Sequence, residues 1–253
     1  MQPLPDQTPY PQYGWGKILG VTFLPGVAMI LIGIIVPVFG FMHDANLLGV
    51  YYLAEAVLLY YLLRYFTQKE GEFTWRRALP WQQPMVRATF WALVIAVSLY
   101  AIFFRDYFAW PSLNSMAMSL MDKMPWWPPS SGLYPGRAPQ YPADDSTALI
   151  IHYVWLMVAV GAASAMQTIY FRGFLLPRMD RFGWWAVLYN SLLFVVFHLA
   201  SPFFWAHFLI FTIMWGVITY ATRNVWIAVF SHVIFNTYGY LWLLLANFGL
   251  VSP

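Results

Sequence analysis

Residues 18–42, "ILGVTFLPGVAMILIGIIVPVFGFM", run for 25 positions without a charge, and comparable apolar runs recur along the chain. A helix of about 20 such residues crosses a hydrocarbon core ~30 Å thick. This feature constrains the fold most, because it places most of the chain in lipid. Composition agrees: 61% of the 253 residues are hydrophobic and only 9% are charged, against about a quarter charged in a soluble domain. The fold class expected is an all-α integral membrane protein, a polytopic bundle of about seven transmembrane helices.

Seven spans follow from the runs, at 18–42, 47–66, 88–109, 147–171, 184–200, 203–221 and 225–248. The links after the first, fifth and sixth are very short, which predicts antiparallel hairpins there. The first sixteen residues, "MQPLPDQTPYPQYGWG", are polar and proline-rich and read as an extended tail. No charged n-region or small-residue cleavage site accompanies the first run, so it reads as a retained span rather than a signal peptide. The chain then divides into a tail, 1–16, and one membrane domain, 17–253.

Lys17, Arg64, Lys69, Arg76, Arg77, Arg87, Arg172, Arg178, Arg181 and Arg223 fall on one side of such a bundle, with only Arg105, Lys123 and Arg137 on the other. The positive-inside rule then puts the N-terminus in the cytoplasm and the C-terminus outside. The one long connection, 110–146, lies on the outer side. Leu113, Met116, Ala117, Leu120, Met121 and Met124 in it share one helical face. They predict a short helix, either lying in the interface or packed as a lid. "DDST" (144–147) supplies N-cap residues for the fourth span. Aromatics make up 21% of the chain, and many of the 14 Trp stand at span ends as interfacial anchors, among them Trp126, Trp127, Trp184, Trp185 and Trp226. With no cysteine, disulfides and thiol chemistry are excluded.

Chemistry concentrates in the second half. Phe194 and His198 are four residues apart, as are His232 and Asn236, so each pair shares a helix face. Imidazole and amide groups inside a span must find partners. Through "QTIYFRGFLLPR" (167–178), "FVVFH" (194–198) and "HVIFN" (232–236), residues 147–245 resemble the CPBP family, named for CAAX proteases and bacteriocin-processing enzymes. Its pattern is EExxxRG, FxxxH, HxxxN. The resemblance implies a helical membrane core and an intramembrane endopeptidase site. There the first glutamate and first histidine activate water, while the second histidine and the asparagine hold the oxyanion. A divalent metal is implied only for an active site of this kind.

Arg172, His198, His232 and Asn236 match the pattern, but the two glutamates fall on Gln167 and Thr168. An amide cannot accept a proton near neutral pH, and it is a poorer metal ligand than a carboxylate. Thr168, one turn before Arg172, also removes an ion pair that a glutamate would make. Most of the ten carboxylates lie in loops; Glu55 is the exception, in the second span inside "YYLAEAVLLYY". It reads either as a functional acid or as a protonated group hydrogen-bonded to its surroundings. These span limits set Gln167 near the cytoplasmic end and His198 almost a full span away, although the family's site needs them together. His43 stands at a span end, while His152 and His207 are candidate haem or pigment ligands or ordinary core histidines.

The leading expectation is a family member that has lost proteolysis and serves as a binding, scaffolding or accessory subunit. Its partners would be lipid, other integral membrane proteins or a membrane-tethered peptide, in a bacterial cytoplasmic membrane. Alternatives are an active CAAX-type endopeptidase with a displaced carboxylate, or one inactivated by a glutamate-to-glutamine change, which leaves Thr168 unexplained. A subunit of a pigment or electron-transfer complex is a third. The basic residues border the membrane rather than forming a patch, so nucleic acid is not a partner.

Overall fold

The computed structural model describes residues 10–38, 45–104, 146–198 and 205–251. The helix expected within 110–146 and the position of His43 lie outside these residues. Regular structure among the described residues is helix, with one isolated backbone pairing between Gln82 and Asn224. Helices α1 (Trp15–Val38), α2 (Ala45–Lys69), the single turn α3 (Trp75–Ala78) and α4 (Arg87–Phe104) form the first half. The next helix is α-helical over Ser146–Thr168, widens into a π-helical stretch at Ile169–Leu175, and ends with Leu176–Arg178. These pieces make one 33-residue rod, Ser146–Arg178, here α5. Beyond it come α6 (Trp185–Phe197), α7 (Trp205–Thr222) and α8 (Val225–Asn247).

The outward faces are apolar. Leu31, Leu99 and Ile151 are 53%, 62% and 64% exposed, an arrangement suited to lipid rather than water. The protein is an all-α integral membrane bundle. Among the described residues α4, α5 and α8 are long and apolar enough to span by themselves. The fifth expected span, 184–200, is the clearest departure: its α-helix has 13 residues, about 20 Å, and stops short of a full crossing.

α5 is central, with α2 on one flank and α8 on the other; α4 packs on α8, while α6 and α7 pack together and touch the π-helical stretch. Gly49 lets α2 approach α5 closely, since a Cβ there would stand 2.0 Å from the indole nitrogen of Trp155. Only two residues link α7 to α8. The first, Arg223, adopts φ 52° and is held by Asp180 at 3.1 Å and by the ring of Trp81 at 4.0 Å. The second, Asn224, caps α8 by accepting from the Trp226 amide at 3.0 Å.

The fourth span was expected to end at 171, where basic residues and Pro177 suggest a boundary. It continues to Arg178 because protein, not water, receives those charges. Arg178 is fully buried: Nε and Nη2 bind both oxygens of Glu70 at 2.6–3.2 Å, and Nη1 donates to the Phe174 carbonyl at 2.8 Å. Tyr13 also donates its hydroxyl to Glu70, and its amide donates to the Arg178 carbonyl at 2.9 Å. Burial, and next the bond to Glu70, push the Tyr13 phenol up, so it remains a donor at neutral pH. Residues 10–14 thus lie extended across the end of α5 before α1 begins.

Candidate functional site

The extra length of α5 resolves the conflict in depth. Gln167 stands eleven residues, roughly 16 Å, inside the end of the rod at Arg178. His198 caps the short α6, 13 residues from its start, at a comparable depth. Phe194 connects the two histidines: its ring centroid is 4.5 Å from that of His198 and 6.3 Å from that of His232. The imidazoles are no farther apart than those two steps, about one helix diameter.

Neighbours on an α-helix point about 100° apart, so Gln167 and Thr168 address the two helices flanking α5. Gln167 turns to α2, where its Nε2 donates to Glu55 Oε1 at 2.5 Å, with both side chains buried. Thr168 turns to α8, where its Oγ1 is 2.9 Å from His232 Nδ1. The Thr168 hydroxyl gives its hydrogen to the Ser164 carbonyl at 2.9 Å, so it accepts from His232 Nδ1–H. Asn236 Nδ2 then donates to His232 Nε2 at 3.0 Å and to Ser164 Oγ at 2.7 Å. The Ser164 hydroxyl passes its hydrogen to the Val160 carbonyl at 2.7 Å. Each polar hydrogen in this chain has one consistent acceptor, which fixes His232 as the neutral Nδ1–H tautomer. The Trp215 ring stacks on that imidazole at 4.0 Å between centroids.

His198 directs Nδ1–H to the Phe194 carbonyl at 2.9 Å and packs against Phe208 at 4.7 Å. Arg172, on the π-helical stretch, is fully buried rather than reaching the interface. It has gained no acidic partner in place of the missing glutamate among the described residues. Instead its guanidinium lies 4.1 Å over the Phe194 ring and reaches the Thr212 carbonyl at 3.4 Å.

Thr168, Arg172, His198, His232 and Asn236 therefore gather about Phe194 where α5, α6 and α8 meet, while Gln167 faces α2 and Glu55. Residues 148–238 match the family model described as type II CAAX prenyl endopeptidase Rce1-like. Over this segment the chain is similar to that family. The resemblance carried by the three motifs is borne out, over nearly the same residues. No curated protein and no solved structure matches the chain.

A divalent metal does not fit the Rce1-like site as built. Both ring nitrogens of His232 are engaged by Thr168 and Asn236, and Gln167 supplies an amide where a carboxylate would bind. Among the described residues no three His, Asp or Glu side chains converge as metal ligands. His152 is buried on α5, fifteen residues before Gln167 and remote from the motifs; the side chain of His207 lies outside those described. Sequence reasoning missed Ser164 and Trp215. Ser164 could have been found four residues before Thr168, where a helical hydroxyl shares its face. Trp215 stands well inside a span, where interfacial anchoring does not account for it.

Proposed function

We propose that the Rce1-like segment binds a membrane-tethered peptide or another integral membrane protein without cutting it. The observation carrying this reading is the closed hydrogen-bond chain through Ser164, Thr168, His232 and Asn236. A scissile carbonyl needs donors pointed at its developing oxyanion. Here the His232 N–H is directed to Thr168, and Asn236 Nδ2 serves Ser164 and His232. Gln167 has no basic lone pair to deprotonate water. The unmodified protein in proteoliposomes is expected to leave prenylated or otherwise membrane-tethered peptides intact, as read by mass spectrometry.

A second reading has one observation in its favour, the 2.5 Å contact between Gln167 and Glu55. It sets a carboxyl group one hydrogen bond away from the position of the family's first glutamate, where Glu55 could serve as a displaced general base. Turnover lost in both Glu55→Gln and His198→Ala would establish that reading and overturn the first.

The orientation proposed has the 67–87 loop in the cytoplasm and 110–146 outside, in a bacterial cytoplasmic membrane. The chain has no native cysteine to remove, so single substitutions report cleanly. Gly136→Cys is expected to react with an impermeant maleimide on intact cells, and Glu72→Cys only after lysis. The opposite pattern would reverse the orientation.

A further inference from the structure

Two fully buried arginines stand six residues apart on α5, and the fold treats them differently. Arg178 has an acceptor for every guanidinium nitrogen, from Glu70 and from the carbonyls of Phe174 and Arg77. Among the described residues Arg172 has a single long bond, from Nη2 to the Thr212 carbonyl at 3.4 Å. Among the described residues its Nε and Nη1 have no acceptor, although they carry most of the five guanidinium hydrogens. A guanidinium stays charged, and leaving it buried and unpaired is costly.

The groups around it are unfulfilled too. Asn190 Oδ1 and Ser191 Oγ on α6, with Trp215 Nε1 and Thr219 Oγ1 on α7, are buried without partners among the described residues. Asn190 is tied to the neighbourhood of Arg172 by its own Nδ2, which donates to the Phe171 carbonyl at 2.8 Å. Gly216 brings α7 onto α6, where an added Cβ would stand 3.5 Å from Ser191 Oγ. Arg172 and these four groups therefore belong to three elements that pack together along one seam, the π-helical stretch, α6 and α7. The adjoining Thr168–His232–Asn236 chain is closed. π-Helical stretches turn side chains off the α register and recur at functional sites.

We propose that Arg172 is the receptor for a carboxylate that a ligand carries into this seam. This rests on the reading of the domain as one that binds. A single cation among neutral donors balances one negative charge, whereas a phosphate monoester would bury a second, uncompensated one. A diester would have to thread a chain on each side of the phosphate. A carboxylate ends its chain and needs only one opening. Arg172 also lies about 9 Å inside the end of α5. The carboxylate has two sources: the C-terminus of a tethered peptide, or a free fatty acid.

The experiment titrates the detergent-purified full chain with a lipid-anchored tripeptide bearing a free C-terminus, with its C-terminal amide, and with palmitate, and reads binding by calorimetry. The free acid is expected to bind at least ~10-fold more tightly than the amide, with the preference lost in Arg172→Met and partly kept in Arg172→Lys. Palmitate binding with the same dependence on Arg172 would support the site and name lipid as the source. Equal binding of acid and amide, binding of none of the three probes, or an acid preference that survives Arg172→Met would overturn it. If Arg172→Met does not fold, Ser191→Ala and Trp215→Phe decide: each should shrink the preference several-fold, and an unchanged preference in both refutes the site. Cleavage of the tripeptide would instead sink the non-proteolytic reading, while the acid-to-amide ratio still judges the carboxylate site.

Discussion

Glu70→Ala is expected to be among the most destabilising single substitutions, lowering stability by about 3–5 kcal/mol. The cause is the partner left behind. Arg178 is fully buried and faces both oxygens of Glu70, so truncation strands a charge that has no route to water. Tyr13 loses its acceptor in the same step, and with it an anchor of residues 10–14 over the end of α5. Chemical denaturation in mild detergent, followed by circular dichroism, reads the effect. Pairing the change with Arg178→Met should recover much of the loss, because a neutral pair removes the stranded charge. A Glu70→Ala protein as stable as the parent would mean that water reaches Arg178 and that the end of α5 is not sealed.

The positions of the helices were legible because apolar runs between polar breaks report directly on the span of a bilayer. Their ends were less so, for a reason visible at Arg172 and Arg178. Sequence treats arginine as a marker of the membrane border, but a carboxylate from a distant loop can hold it inside. Glu70 is such a carboxylate, and 108 residues separate it from Arg178. The site was legible as a set of residues, since the three motifs fix spacing along helices. Its partnerships were not. That Gln167 meets Glu55 depends on α2 lying against α5, and that Thr168 replaces an acid by gripping His232 depends on α8 lying opposite. Neither follows from periodicity.

Gln167→Glu, alone or with Thr168→Glu, is expected to leave peptide hydrolysis at background, although each change restores a family residue. A missing general base alone would be worth ~10²–10⁴ in rate, so recovery of that size is the alternative outcome. Three features argue against it. A carboxyl at 167 would meet Glu55, now 2.5 Å from the Gln167 amide, and two carboxyls at that separation hold a proton between them. Thr168 is fully buried between the Ser164 carbonyl and His232 Nδ1; a longer side chain there overfills the site at a cost of roughly 1–3 kcal/mol. The N–H groups of His232 and Asn236 meanwhile remain on acceptors within the chain. The informative companion is Gln167→Glu with Glu55→Gln, which exchanges the acid and the amide across the α2–α5 contact. It keeps the hydrogen bond and the charge count while returning the carboxylate to α5. If this exchange gains cleavage and Gln167→Glu does not, the position of the acid was the only defect and His232 and Asn236 can re-form an oxyanion site. If neither cleaves, while both fold with the parent's stability, the closed chain around His232 is what separates this domain from a protease.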